Sequence, residues 1–121
     1  MLEEEQLLAA CTAGDASTFT RLATLVDVSF DCNLPLRTAA SQGHAEIVYR
    51  LLKDPRTDPT ACNNSALRAS LGNEHLDVIV LLLADRRVRQ AIAEDFPMNE
   101  YLFKVYRKFM DKQTAWQLTL P

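Results

Sequence analysis

The sequence predicts an all-α protein in which short helices are arranged in repeated pairs. Apolar residues recur at positions i, i+3 and i+4, the spacing of one helix face, and alternating strand patterns are scarce. Only three glycines and five prolines occur in 121 residues, fewer than an all-β domain rich in turns needs. The third observation is an internal repeat. With 48% hydrophobic residues, this length predicts a single domain with its own core.

The repeat is clearest between residues 36–44 and residues 67–75, which align at an offset of 31 without a gap. Further matches at this offset are Asp27 with Asp58, Asn33 with Asn64, Ile47-Val48 with Val78-Ile79, Leu51-Leu52 with Leu82-Leu83, Asp54 with Asp85, and Arg56 with Arg87. A step back of 29 residues extends the pattern to Leu7, Ala10 and Gly14. Each unit is therefore predicted to be a short first helix, a tight turn and a second helix with a wider apolar face.

The apolar periodicity places four helix pairs along the chain. The predicted pairs are 3–13 with 16–25, 34–42 with 45–53, 65–73 with 76–84, and 88–94 with 99–111. An apolar stripe from Tyr101 to Met110 matches the extra apolar surface of the third pair, where Arg50 is replaced by Leu81. Residues 98–111 are therefore predicted to form a C-terminal cap.

Local chemistry supports the predicted helix ends. Asn33 and Asn64-Ser65 are candidate N-caps, and Pro35 suits a first turn, where a backbone N–H has no helical partner. Gly43 stands where the first helix must stop, because glycine adopts the left-handed conformation easily. Glu74 occupies the equivalent position in the next unit. A left-handed non-glycine residue costs about 1–2 kcal/mol, so we expect this turn to shift to Gly72 or Asn73.

Charge and cysteine content indicate the environment of the chain. With a net charge of −3, the chain lacks the basic surface that is typical of a nucleic-acid binder. Cys11, Cys32 and Cys62 are odd in number and widely spaced, which predicts free thiols in a reducing compartment. The N-terminus carries glutamates where a secretory signal has positive charge, and the longest apolar stretch has seven residues, Val78 to Ala84. We therefore expect an intracellular, cytoplasmic protein without nucleic-acid or membrane partners.

Residues 34–52 resemble the ankyrin repeat. The matching residues are Pro35, Leu36, Ala39, Ala40, Gly43, His44, Ile47, Val48, Leu51 and Leu52. Residues 65–83 and 7–25 match more weakly, and the resemblance covers roughly 85 of the 121 residues. It implies a short ankyrin-like helical solenoid of about four antiparallel helix pairs with a C-terminal capping helix. The spacings of 29 and 31 are shorter than the usual ~33, so the hairpin fingers are expected to be reduced.

In this interpretation residues 1–121 form a single ankyrin-like repeat domain. Residues 1–31 form an N-terminal capping repeat, 32–62 and 63–87 form two further repeats, and 88–121 form the C-terminal cap and tail. The resemblance implies a non-catalytic protein–protein interaction module that binds another protein through the concave face of the solenoid. We expect no cofactor, no bound metal and no enzymatic activity, because no catalytic motif occurs and His44 and His75 have no third ligand nearby.

The candidate partner-binding residues are polar or aromatic positions on the first helices, the linkers and the tail. They are Arg37, Gln42, Arg56, Arg68, Asn73, Arg86, Arg87 and Trp116. The alternative is that the arginines hydrogen-bond neighbouring loops and that Trp116 folds back on the cap. Two other functions stay open: homotypic assembly through the apolar cap and tail, and a regulatory accessory subunit of a larger complex. We expect a monomer rather than a homodimer.

Overall fold

The computed structural model describes residues 2–95, 100–104 and 107. Within these residues the regular structure is entirely helical, which confirms the all-α prediction. The helices are α1 (Glu3–Ala13), α2 (Ala16–Ala23), α3 (Phe30–Gln42), α4 (Ala45–Lys53), α5 (Ala61–Gly72), α6 (Leu76–Leu83) and α7 (Arg86–Glu94). Residues 100–104 are also helical. The first three predicted pairs are thus confirmed, with ends that differ by a few residues.

The helices pack in two layers. The first helices α1, α3 and α5 contact one another in order, and so do the second helices α2, α4 and α6. Each first helix also contacts the second helix of its own pair, and α7 packs on α6. Leucine, isoleucine and valine side chains between the layers are buried, including Leu7, Leu36, Ile47, Leu67 and Val78. The apolar periodicity of the sequence therefore corresponds to one core shared by the helix pairs.

Two turns of left-handed backbone precede the right-handed parts of α3 and α5. Residues 31–33 and residues 62–64 all have φ between 51° and 59°, and we call these segments the left-handed turns. Pro35 then lies at the start of the right-handed helix, as predicted. The predicted capping role of Asn33 is wrong, because its Oδ1 accepts from the backbone N–H of Asp58 at 3.0 Å.

The first two turns between paired helices each have a glycine beneath a histidine ring. Gly14 and Gly43 have φ values of 78° and 79°, and a Cβ at either would lie within 2.6 Å of a His44 or His75 ring atom. The expected shift of the third turn to Gly72 or Asn73 is wrong. Glu74 itself has a φ of 57°, while Gly72 is the last residue of α5.

The prediction of free thiols is wrong for two of the three cysteines. Cys32 and Cys62 form a disulfide that joins the two left-handed turns, with their Cα atoms 6.4 Å apart. The cysteine argument for a reducing compartment therefore loses its basis. Cys11 is a buried free thiol, and its burial raises its pKa to about 12. That thiol stays protonated at neutral pH.

Two predictions concern membrane spans and the C-terminal cap. In the part of the chain that is described, no helix is long and apolar enough to cross a membrane. Leu102 packs against the core, while Tyr101 and Phe103 are exposed. The rest of the predicted cap, and the tail with Trp116, lie outside the described residues.

Candidate functional site

The arginines of the linkers connect successive linkers to one another. Arg56 pairs with Asp54 at 2.6 Å and donates to the carbonyl oxygens of Val26 and Ala23, each at 3.0 Å. Arg87 repeats this arrangement one unit later, pairing with Asp85 and donating to the carbonyl oxygen of Thr57 at 2.8 Å. The hydrogen bond from each arginine holds the pKa of its aspartate below the usual value. Both arginines therefore connect separate parts of the fold, although 41% of the Arg56 side chain and 47% of the Arg87 side chain are exposed.

The arginines of the first helices bind the left-handed turns. Arg37 donates from Nε to Cys32 O at 3.0 Å and from Nη2 to Asp31 O at 2.8 Å. Arg68 makes the equivalent Nε bond to Asn63 O at 2.8 Å, but its Nη2 reaches Asp95 Oδ2 at 3.4 Å instead. The alternative interpretation, in which these arginines hydrogen-bond neighbouring loops, describes the contacts that the structure shows.

The remaining predicted residues are scattered. The Nδ2 of Asn73 donates to Ser41 O at 2.9 Å, beside the His75 Nε2 bond to the same oxygen. Gln42 and Arg86 are exposed, and their side chains make no hydrogen bond to the described part of the chain. Trp116 lies outside that part. The structure therefore does not gather the predicted residues into one site.

The segment after α6 differs in sequence from the two linkers that follow α2 and α4, and α7 therefore continues the stack in a different way. In the first two linkers, Asp27 Oδ1 accepts from Ser29 N and Oγ, and Asp58 Oδ1 accepts from Thr60 N and Oγ. These bonds form turns that bring the chain into the left-handed turns. The equivalent segment is Arg89-Gln90-Ala91, which lacks both the aspartate and the hydroxyl. The chain therefore runs on as the helix α7.

The altered path leaves an open groove of about 690 Å3 between α5 and α7. Its lining residues are Thr60, Asn63, Asn64, Arg68, Ala91, Glu94 and Asp95. Asn64 is only 3% exposed, and its Oδ1 has no hydrogen-bond partner in the described structure. The Oδ1 of the equivalent Asn33 accepts from Asp58 N. In the next unit, the residue at the position of Asp58 is Arg89. The N–H of Arg89 is used within α7, where it donates to Asp85 O at 3.1 Å.

The groove is equipped to accept hydrogen bonds. It combines the amide oxygen of Asn64 with the carboxylates of Glu94 and Asp95, and Arg68 pairs with one of these. Among the described residues, no group of three or more metal-ligating side chains lies together. Asn64 was predicted only as a helix cap. The signal that identifies it is the match of Asn33 with Asn64 combined with Arg89 in place of an aspartate.

Comparison with known proteins defines no family for the chain. No family model, curated protein sequence or solved structure matches it. The class of protein is therefore described by its structure. It is an all-α chain of stacked helix pairs, with an open groove beside α5.

Proposed function

We propose that the chain is a non-catalytic protein–protein interaction module with an ankyrin-like solenoid architecture. It binds a partner protein through the concave face formed by the first helices and the linkers. The observation that supports this function most strongly is that Asn64, which lines the groove between α5 and α7, has a buried Oδ1 with no partner among the described residues. A buried acceptor without a partner costs about 1–3 kcal/mol, and a bound protein that supplies a donor removes that cost.

The repeat architecture supports the same function. The resemblance of residues 34–52 to the ankyrin repeat implies a role in binding proteins. In stacked repeats the buried positions maintain the stack, and the exposed ones vary with the partner. Gln42 and Glu94 are exposed on α3 and α7, where they contribute little to the core. Such positions are available for contacts with another protein.

A matched pair of variants tests this function. The folded chain is immobilised, and proteins captured from a cell extract are identified for the unmodified chain, for Glu94→Arg and for Glu46→Arg. Glu94 lies at the groove, whereas Glu46 lies on α4 in the other layer and pairs with Arg50 on the surface. Both substitutions change the charge equally, and loss of the exposed Glu46 pair costs about 0.5 kcal/mol or less. We expect Glu94→Arg to lose a captured protein that Glu46→Arg keeps.

Two outcomes contradict the proposal. The chain captures no protein above the level of an empty support, or the two variants capture the same proteins equally well. In the second case the binding surface lies away from the groove. Circular dichroism of both variants shows whether either substitution has altered the fold.

Homotypic assembly is the second candidate function. Tyr101 is 41% exposed and Phe103 is 60% exposed in the helical segment 100–104, where a second copy would cover them. Light scattering over a concentration range distinguishes the candidates. We expect a constant monomer mass, and a mass that rises to that of a dimer would favour assembly through this segment.

A further inference from the structure

We propose that the groove between α5 and α7 binds a loop of the partner protein by accepting one backbone N–H at Asn64 Oδ1. The bound loop has the chemistry of this chain's own linkers, an aspartate followed two residues later by serine or threonine. The proposal rests on the proposed function and names the partner's chemistry. The supporting observation is internal to the chain, because Asn33 already binds such a loop.

The contact at Asn33 shows what Asn64 is shaped to accept. Asn33 has a φ of 57° and Asn64 has a φ of 59°, so both side chains leave the same kind of left-handed turn. Asn33 Oδ1 accepts from the backbone N–H of Asp58, and the Asp58 side chain closes a turn on Thr60. Asn64 is one of the residues that line the groove, so an N–H that reaches its side chain from another molecule enters through the groove.

The described part of the chain does not supply this donor. At the equivalent of Asp58 stands Arg89, whose N–H is committed to Asp85 O and whose side chain donates to the carbonyl oxygens of Leu83 and Ala84. The Oδ1 of Asn64 is shielded from solvent and has no hydrogen-bond partner among the residues that the structure describes. An incoming N–H meets it when the amide rotates about its Cβ–Cγ bond, a torsion with broad minima. The open side of the groove gives the loop access.

A peptide titration tests the proposal. The probe is an acetylated and amidated heptapeptide with the sequence of residues 54–60, Asp-Pro-Arg-Thr-Asp-Pro-Thr. Its control is the same peptide with an N-methyl group on the second aspartate, which removes the N–H and keeps the side chains. Binding to the isotope-labelled full chain is followed by NMR at the side-chain amide of Asn64 and the backbone amide of Ala91. A chain with Asn64→Gly is titrated in parallel, because glycine retains the left-handed turn without strain.

We expect saturable shifts at Asn64 with the first peptide and binding about fivefold weaker after N-methylation, the effect of one hydrogen bond. The Asn64→Gly chain loses affinity for the first peptide and no longer distinguishes the two. Equal binding of both peptides, or no saturable shift at Asn64, overturns the proposal. If the extract experiment succeeds while this one fails, the chain binds proteins by other contacts. If this one succeeds while the extract experiment fails, the loop site stands and the wider function does not.

Discussion

The two junctions that flank α5 have related sequences and different structures. The closed junction, between α3 and α5, is crossed by the Cys32–Cys62 disulfide and by the bond from Asp58 N to Asn33 Oδ1. The open junction, between α5 and α7, has no disulfide, and in the described part of the chain Asn64 Oδ1 has no partner there. An Asp-x-Arg pair nevertheless stands at the equivalent place in both segments: Asp54-x-Arg56 lies before α5, and Asp85-x-Arg87 lies at the start of α7. The clearest sequence difference follows this pair, where Asp58-Pro59-Thr60 is replaced by Arg89-Gln90-Ala91.

The disulfide should give the largest effect. Because it closes a loop across a separation of 30 residues, replacement of both Cys32 and Cys62 by serine should lower the free energy of unfolding by about 3–4 kcal/mol. Urea denaturation of the oxidised chain and the double variant measures this difference. Reducing agent should destabilise the unmodified chain by a similar amount and leave the double variant unchanged. Equal free energies of unfolding for the oxidised chain and the double variant would show that the disulfide does not stabilise the closed junction.

The second prediction compares the turns at Gly43 and Glu74, which join the paired helices on the two sides of the closed junction. Gly43→Ala should cost about 2–3 kcal/mol, because alanine is strained at a φ of 79° and its Cβ would lie 2.6 Å from the His75 ring. Glu74→Gly should instead change the free energy of unfolding by less than about 1 kcal/mol, because the removal of left-handed strain is offset by the greater unfolded-state entropy of glycine. The only two histidines cover Gly14 and Gly43, so no such ring constrains position 74. Thermal unfolding of both variants tests this difference, and a loss of stability in Glu74→Gly as large as that in Gly43→Ala would contradict it.

The helices could be predicted from sequence, because their apolar periodicity is local and repeats in register. The left-handed turns could not, since three successive non-glycine residues with positive φ are unfavourable locally and are retained only by contacts elsewhere. The disulfide was missed for a related reason. Cys32 and Cys62 are separated by 30 residues rather than 31, so they occupy non-equivalent positions of the repeat. Their pairing depends on how α3 and α5 stack, which the spacing does not show.

The candidate site was predictable only in part. Arg37 and Arg68 were correctly placed on first helices, yet a repeat alignment gives the two the same role. The structure separates them, because the Nη2 of Arg68 turns to Asp95 at the open junction. Likewise, Asn64 aligns with Asn33. The two differ in their donor, because Asp58 donates to Asn33 whereas Arg89 stands at the equivalent position for Asn64. The site therefore arises where the repeat is interrupted.

The third prediction removes a buried hydroxyl at the closed junction. Thr57 is 2% exposed and its Oγ1 has no partner in the described structure, whereas Val26 and Val88 occupy the equivalent positions. Thr57→Val should raise the free energy of unfolding by about 1–2 kcal/mol, since it keeps the shape and removes the unsatisfied group. Thr57→Ala is the control, because it also removes a methyl group and should give no gain. Destabilisation by valine in urea denaturation would mean that the hydroxyl has a partner.

The fourth prediction compares the two asparagines directly. Asn33→Gly should be less stable than Asn64→Gly by at least about 1 kcal/mol, because Asn33→Gly loses the bond from Asp58 N, whereas Asn64→Gly removes a buried acceptor that has no partner among the described residues. Glycine relieves the same left-handed strain at both sites and adds the same unfolded-state entropy, so these terms cancel in the difference. Urea denaturation of the two variants measures it. Equal stabilities would show that the hydrogen bond at Asn33 contributes nothing net and would remove the contrast between the junctions.

The smallest effect should be one that the two junctions share. The hydrogen bonds from Arg56 and Arg87 lower the pKa of Asp54 and of Asp85, so each carboxylate stabilises the fold at pH values above its usual pKa. This stabilisation is lost as the pH falls below about 4 and through the lowered pKa values. Asp54→Asn and Asp85→Asn should each cost about 1 kcal/mol or less at neutral pH and flatten the acid limb of the stability profile. Similar losses in the two variants would leave the segments after the Asp-x-Arg pairs as the source of the difference, whereas a much larger loss in Asp54→Asn would place part of it in the pairs themselves.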